Sequence, residues 1–186
     1  MKKSTKIILA VAATLFIAAI VFCTKHYYHF AVANFVSHDQ ESHGYHIQEG
    51  MPTDSILAEM LGDYDMLSEL AWCMQCRYLK FTQAKPGYYR FAAKIANREL
   101  IRRLQLGEET PIRLSFTQAI RTREQLAGFM GNKLMLDSAD VKQRLDDEEY
   151  MSHFGLTPET AVCLFIPNTY EVYWTMSADQ LFARMY

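Results

Sequence analysis

The residues best suited to chemistry lie late in the chain. Glu171 follows Pro167, Asn168, Thr169 and Tyr170, and precedes Val172, Tyr173 and Trp174. A carboxyl group enclosed by aromatic and branched side chains is pushed toward its neutral form, because burial disfavours the charged state. A carboxyl that is neutral near working pH can protonate a leaving oxygen and then take a proton from a nucleophile. Tyr170, Tyr173 and Trp174 offer ring faces on which a sugar can stack, and Asn168 and Thr169 offer groups that bond hydroxyls. The plainer alternative makes Glu171 an exposed strand residue, the aromatics core, and Asn168 and Thr169 shapers of the turn after Pro167. Other carboxylates are weaker candidates. Asp146, Asp147, Glu148 and Glu149 form an acidic run of the kind found on solvated helical faces, and Asp137 and Asp140 flank a helix start, where capping accounts for them.

Cysteine and histidine chemistry is sparse. Cys73 and Cys76 form a Cys-x-x-Cys pair inside an apolar helical run, not at a strand–helix junction, so packing is the first reading and a disulfide the second. Zinc would require two more ligands at useful spacing, and none is so placed. Cys23 falls in the N-terminal apolar segment and Cys163 stands alone. The histidines show no metal spacing. No metal site and no organic cofactor are implied.

The elements that must position these residues follow from pattern. Gly44–Ile47 alternates like a short strand, and Thr53 is a natural cap for a helix from Asp54 to Leu61. A second helix is expected from Asp65 to Leu79, with Met66, Leu67, Leu70, Met74 and Leu79 in the core. A turn at Lys85–Gly87 feeds a strand, and Asn97 caps a helix that stops at Gly107. Ile112–Phe116 reads as a strand. Thr122 and Ser138 cap two further helices, and Asp146–Phe154 continues in helical form. Pro158 opens one more helical turn, Val162–Ile166 reads as a buried strand, and Tyr170–Trp174 is extended. Ser177 caps a last amphipathic helix bearing Leu181, Phe182 and Met185, which the chain end leaves with an exposed apolar face. These elements make an α+β region.

Ahead of them lies an uncharged run of 18 residues from Ile7 to Thr24. As a helix it is about 27 Å long, near the roughly 30 Å hydrocarbon core of a bilayer. Lys2, Lys3 and Lys6 precede it and Lys25 follows. The excess of positive charge before the run predicts a cytoplasmic N-terminus with the remainder outside. Val21-Phe22-Cys23 lacks the small residues of a cleavage site, and Tyr27 and Tyr28 suit an interfacial aromatic belt, so an uncleaved anchor is expected. Half of the 186 residues are hydrophobic and the net charge is −2. Without the three leading lysines the balance is −5, which argues against a nucleic-acid partner.

Three segments carry a family resemblance. Ile47–Leu61 (IQEGMPTDSILAEML) looks like the start of a LysM-like carbohydrate-binding module. KPGYYRF at 85–91, followed by ELIRRLQLGEETPIRLSF at 99–116, is similar to the way that module closes in the endolytic murein transglycosylases, the YceG-like or MltG family. LFIPNTYEVYWTMSADQLFARM at 164–185 resembles the segment that opens that family's catalytic core. The pattern points to the Bacteroidetes type of the family. Two positions depart from it. The family's catalytic glutamate lies five residues before the motif proline, which here is Val162. The strand after the LysM-like module usually enters a Pro-Glu-Gly turn, where this chain has Phe116-Thr117-Gln118-Ala119.

The hydropathy and charge pattern gives a cytoplasmic tail (1–6), a transmembrane helix (7–24) and a stalk (25–44), and the resemblance implies a LysM-like subdomain (45–110) and the start of a mixed α+β YceG-like catalytic domain (111–186), C-terminally truncated. It implies a lytic transglycosylase at the cytoplasmic (inner) membrane. The muramoyl C6 hydroxyl attacks C1 of a nascent glycan strand and leaves a 1,6-anhydro end, so one carboxyl group can suffice where an ordinary glycosidase needs a second about 5–9.5 Å away. Glu171 is the catalytic candidate, and Asn168, Thr169, Tyr170, Tyr173 and Trp174 are the substrate-binding candidates. The implied partners are peptidoglycan strands, the membrane and peptidoglycan synthases. The alternative is a membrane-anchored glycan-binding module without catalysis.

Overall fold

A computed structural model describes residues 3–31, 33–117 and 120–186. The start of the expected cytoplasmic tail and the Gln118–Ala119 departure lie outside them. The chain forms two compact units, Met1–Lys85 with Arg90–Glu108, and Pro86–Tyr89 with Glu109–Tyr186.

The first unit begins with α1, Lys3–Ala31. Its apolar stretch Ile7–Lys25 is wholly unburied, a surface that water penalises and a bilayer would not. The chain then enters β1, Phe35–Ser37, the central strand of a three-stranded antiparallel sheet. Its neighbours are β3, Tyr64–Met66, and β5, Lys94–Ile95. Residues expected in a polar stalk are therefore inside the fold: Asn34 and Phe35 are fully buried. Phe35 meets Trp72 edge to face at 5.5 Å, and that apolar contact explains why the segment folds inward.

Strand β2, His43–Ile47, pairs with β4, Gly87–Phe91. Between them run α2, Thr53–Met60, and α3, Glu69–Tyr78. Thr53 does not cap α2. It is the first helical residue, and Pro52 holds the extended cap position. Helix α3 starts later than expected because Tyr64–Met66 is drawn into the sheet, and Ser68 caps it by accepting the Ala71 N–H. The buried face of α3 is Ala71, Trp72 and Gln75, so Leu67, Leu70 and Met74, expected in the core, are exposed. Helix α4, Asn97–Leu106, ends at Gly107, whose φ of 74° is the left-handed turn that glycine takes without strain. Asn97 is not its cap. Its buried Oδ1 instead accepts from Asn34 Nδ2 at 3.0 Å.

The second unit is organised on β6, Ile112–Ser115, and β7, Thr169–Val172, paired antiparallel. The helices α5, Arg123–Lys133, α6, Ser138–Asp146, and α7, Glu148–Ser152, lie between them in sequence. Thr122 caps α5 in a reciprocal capping box with Gln125. Asp137, one residue before the expected Ser138, caps α6. Val162–Ile166 is not a strand. Ala161–Leu164 is a 3-10 turn, and a short apolar run fits either form when only its burial is specified. Helix α8, Ala178–Met185, is capped by Ser177 with Gln180 as its reciprocal partner. Leu181 and Phe182 are fully buried, so the apolar face expected to be left open is covered. The core gathers Leu114, Leu126, Met130, Val141, Leu145, Phe165, Val172 and Phe182.

Candidate functional site

Strand periodicity decides what β7 presents. Successive side chains point to opposite faces, so Tyr170 and Val172 turn inward while Thr169 and Glu171 face solvent. Glu171 stands opposite Arg113, with Oε1 3.7 Å from Nε, and its side chain is 64% exposed. Ser115 and Thr169 form the adjacent cross-strand pair, their hydroxyls 2.8 Å apart. The outer face of the ribbon is thus a polar strip. The enclosure that would hold Glu171 neutral is not built around it, because its chain neighbours point the other way.

The substrate-binding candidates separate in the same manner. Tyr170 is half-buried, its ring 5.9 Å from Phe116 and its hydroxyl donating to the Ile166 carbonyl at 3.2 Å. That ring belongs to the core. Tyr173 is 50% exposed and offers an open face. Trp174 is half-buried, and its carbonyl accepts the Met135 N–H at 2.9 Å. Asn168 shapes the turn: its Oδ1 accepts the Thr169 N–H at 2.8 Å, and its carbonyl accepts the Phe116 N–H at 2.9 Å. Asn168, Thr169, Glu171 and Tyr173 are exposed.

Two recesses among the described residues of this unit bear on the site. A groove of about 430 Å³ is lined by Phe116, Ile120, Leu126, Val162, Phe165, Ile166 and others. It is apolar, and Val162 occupies the position that a catalytic glutamate holds in the resembled motif. A carboxyl group at that point would be desolvated and pushed toward its neutral form. The second recess, about 350 Å³, brings Tyr173 together with Glu109, Thr175, Met176, Gln180 and Arg184. Glu109 accepts hydrogen bonds from the Thr175 hydroxyl and, at 3.4 Å, from the Tyr88 N–H. Sequence reasoning passed over Glu109, because it sits far from β7 in the chain and carries no motif of its own.

Elsewhere, Cys73 and Cys76 are free thiols on α3, and burial pushes the Cys76 thiol up to about 11. His43 sits between Asp39, 2.9 Å from its Nε2, and Asp63, 3.8 Å from its Nδ1. Among the described residues, no group of three or more His, Cys, Asp or Glu side chains is arranged to hold a metal.

No curated protein matches the chain significantly. A solved structure of a protein described as yceG-like, from Listeria monocytogenes, is similar at 20% identity and a TM-score of 0.42, over 78% of this chain and 53% of the other. The chain thus spans about half the length of that relative. The sequence model of the YceG-like family matches residues 45–186. That match takes in most of the first unit beyond α1 and all of the second, including β7 and both recesses, and by it the chain belongs to the YceG-like family.

Proposed function

We propose that this chain is part of a membrane-anchored endolytic lytic transglycosylase. It would cleave nascent peptidoglycan strands at the outer face of the cytoplasmic membrane and leave 1,6-anhydromuramoyl ends, which limits glycan elongation. The observation that carries this reading is the family match across residues 45–186, which includes the Pro167-Asn168-Thr169-Tyr170 segment. The exposed apolar span of α1 supports a bilayer anchor. The paired strands β2 and β4, with α2 and α3 between them in sequence and β3 separating the two helices, support a LysM-like glycan-binding arm.

Glu171 is the proposed general acid and base, with Asn168, Thr169 and Tyr173 toward the sugar. Glu171 is open to solvent beside Arg113, so the proposed role needs a substrate strand laid over the ribbon to exclude water from the carboxyl group. Replacing Glu171 by Gln in the full-length protein should lower release of anhydro-ended glycan by at least about 100-fold, the usual scale of general-acid catalysis. Anhydromuropeptides measured by mass spectrometry check this. Undiminished product from the variant removes Glu171 from the chemistry.

One observation favours a second reading. The groove best suited to hold a neutral carboxyl contains Val162, and Glu171 is open to solvent. On that reading the chain binds glycan without cutting it. Pull-down on purified peptidoglycan, unchanged by Glu171→Gln and unaccompanied by product, separates the two.

A further inference from the structure

Helix α3 carries an apolar stripe that the described residues leave exposed. Leu70 is 56% exposed, Met74 55% and Tyr78 76%, each one turn beyond the last. Leu67, just ahead of the helix, is 46% exposed. Single exposed apolar residues are ordinary, but an aligned series marks a contact surface. Arg77 and Lys80 are exposed beside the stripe. The opposite face, through Ala71, Trp72 and Gln75, is buried.

The position of α3 along the chain's exit from α1 says what covers this stripe. Helix α1 packs against α3 and α4, and because Ile7–Lys25 is unburied, that packing falls to its C-terminal end. Asn34 then joins the exit to both helices. Its carbonyl accepts the Leu67 N–H at 2.8 Å, its Nδ2 donates to the Ser68 carbonyl at 2.9 Å, and the same amide reaches Asn97. From Lys25 to Ala31 the helix rises about 9 Å, and the headgroup layer is about 6 Å thick on each side of the core. The start of α3 is therefore fixed at the outer edge of the headgroups, and tilt of α1 brings it closer.

We propose that α3 lies on the bilayer as an interfacial helix, with Leu67, Leu70, Met74 and Tyr78 among the headgroups and Arg77 and Lys80 toward lipid phosphates. The proposal rests on the reading of α1 as a membrane anchor. Tyrosine at that depth has its ring in the acyl boundary and its hydroxyl in water. The two cations extend their apolar stems along the surface and keep their charge with anionic lipid. Glu69, exposed in the first turn, faces the positive helix end and works against the anionic surface.

The test uses the full chain in nanodiscs of anionic lipid, with Cys23, Cys73, Cys76 and Cys163 replaced by serine. A nitrobenzoxadiazole label is placed either at Met74→Cys or at Leu15→Cys in the anchor. Lipid-borne doxyl groups near the headgroup should quench the Met74→Cys label, and aqueous iodide should quench it poorly. Loss of fluorescence to doxyl at position 15 but not at 74, with iodide reaching 74 freely, overturns the proposal and leaves the anchor standing. Protection of position 74 from both quenchers means that protein covers the stripe, which also overturns it. Iodide access at position 15 overturns the anchor and the proposal together.

Discussion

At the scale of single residues, Asn34 and Asn97 bear more of the fold than any exposed ion pair. Both are fully buried, and the Asn34 amide spans the starts of α3 and α4. Asn97→Ala leaves one donor of that amide without its partner in a site closed to water. Such a loss costs about 1–3 kcal/mol, so urea unfolding of the variant should shift by that amount with little change in slope. An unchanged midpoint would mean that water enters and replaces the partner. The sequence suggested a helix cap at Asn97 because Asn is common at caps; its true partner is 63 positions away, and no local pattern encodes that. Glu171 illustrates the opposite case. Its location on an extended segment was legible, but Tyr170 and Val172, the residues on either side of it, turn to the opposite face. Adjacency in a strand is the one relation that guarantees opposite faces.

At the scale of elements, the legible features were those with a local cause. Gly107, Thr122 and Ser177 end or begin helices as expected, because the atoms that satisfy the helix termini lie within a few residues. The face that each helix buries is not local. Leu70 and Met74 have the same spacing as a core stripe, but Trp72 meets Phe35 and turns them outward. The docking of α8 was equally hidden. Asp179 Oδ1 on α8 accepts from Arg144 Nε at 2.9 Å and from the Tyr150 hydroxyl at 2.8 Å, tying α8 to α6 and α7. The Arg144 hydrogen bond first, then that of Tyr150, hold the Asp179 carboxyl below the usual carboxylate range. As pH falls, the unfolded chain therefore takes up its proton before the folded one does. The stabilisation is complete above about pH 4 and fades as acid protonates the folded carboxylate. Because Asp179 is 62% exposed, Asp179→Asn should cost at most about 1 kcal/mol at pH 7. The gap in urea midpoint from the unsubstituted chain should narrow as pH is lowered from 7 to 3. An equal gap at both pH values would assign the loss to packing instead.

At the scale of the whole molecule, α1 is long and apolar enough to cross a membrane, and the asymmetry of charge around it predicts which side the rest of the chain would occupy. The helix runs without a break from Lys3 to Ala31, so it continues beyond Val21-Phe22-Cys23, where a signal peptide would have to end. Its continuation leads through Asn34 into the central strand β1, which gives the apolar helix a structural junction and not a free stalk. Lysine and arginine near a span are retained on the cytoplasmic side, while acidic residues contribute little. Lys2, Lys3 and Lys6 stand before the span, against Lys25 alone after it. Alkaline phosphatase fused after Tyr186 should therefore be active and a fluorescent protein fused there dark. Changing the three leading lysines to Gln and adding lysines just after Lys25 should reduce the phosphatase signal in favour of fluorescence. Fluorescence from the unsubstituted fusion would put both units in the cytoplasm, away from any glycan strand. An N-terminus mapped near residue 24 in the membrane fraction would remove the anchor itself, and with it the reason for α3 to meet lipid.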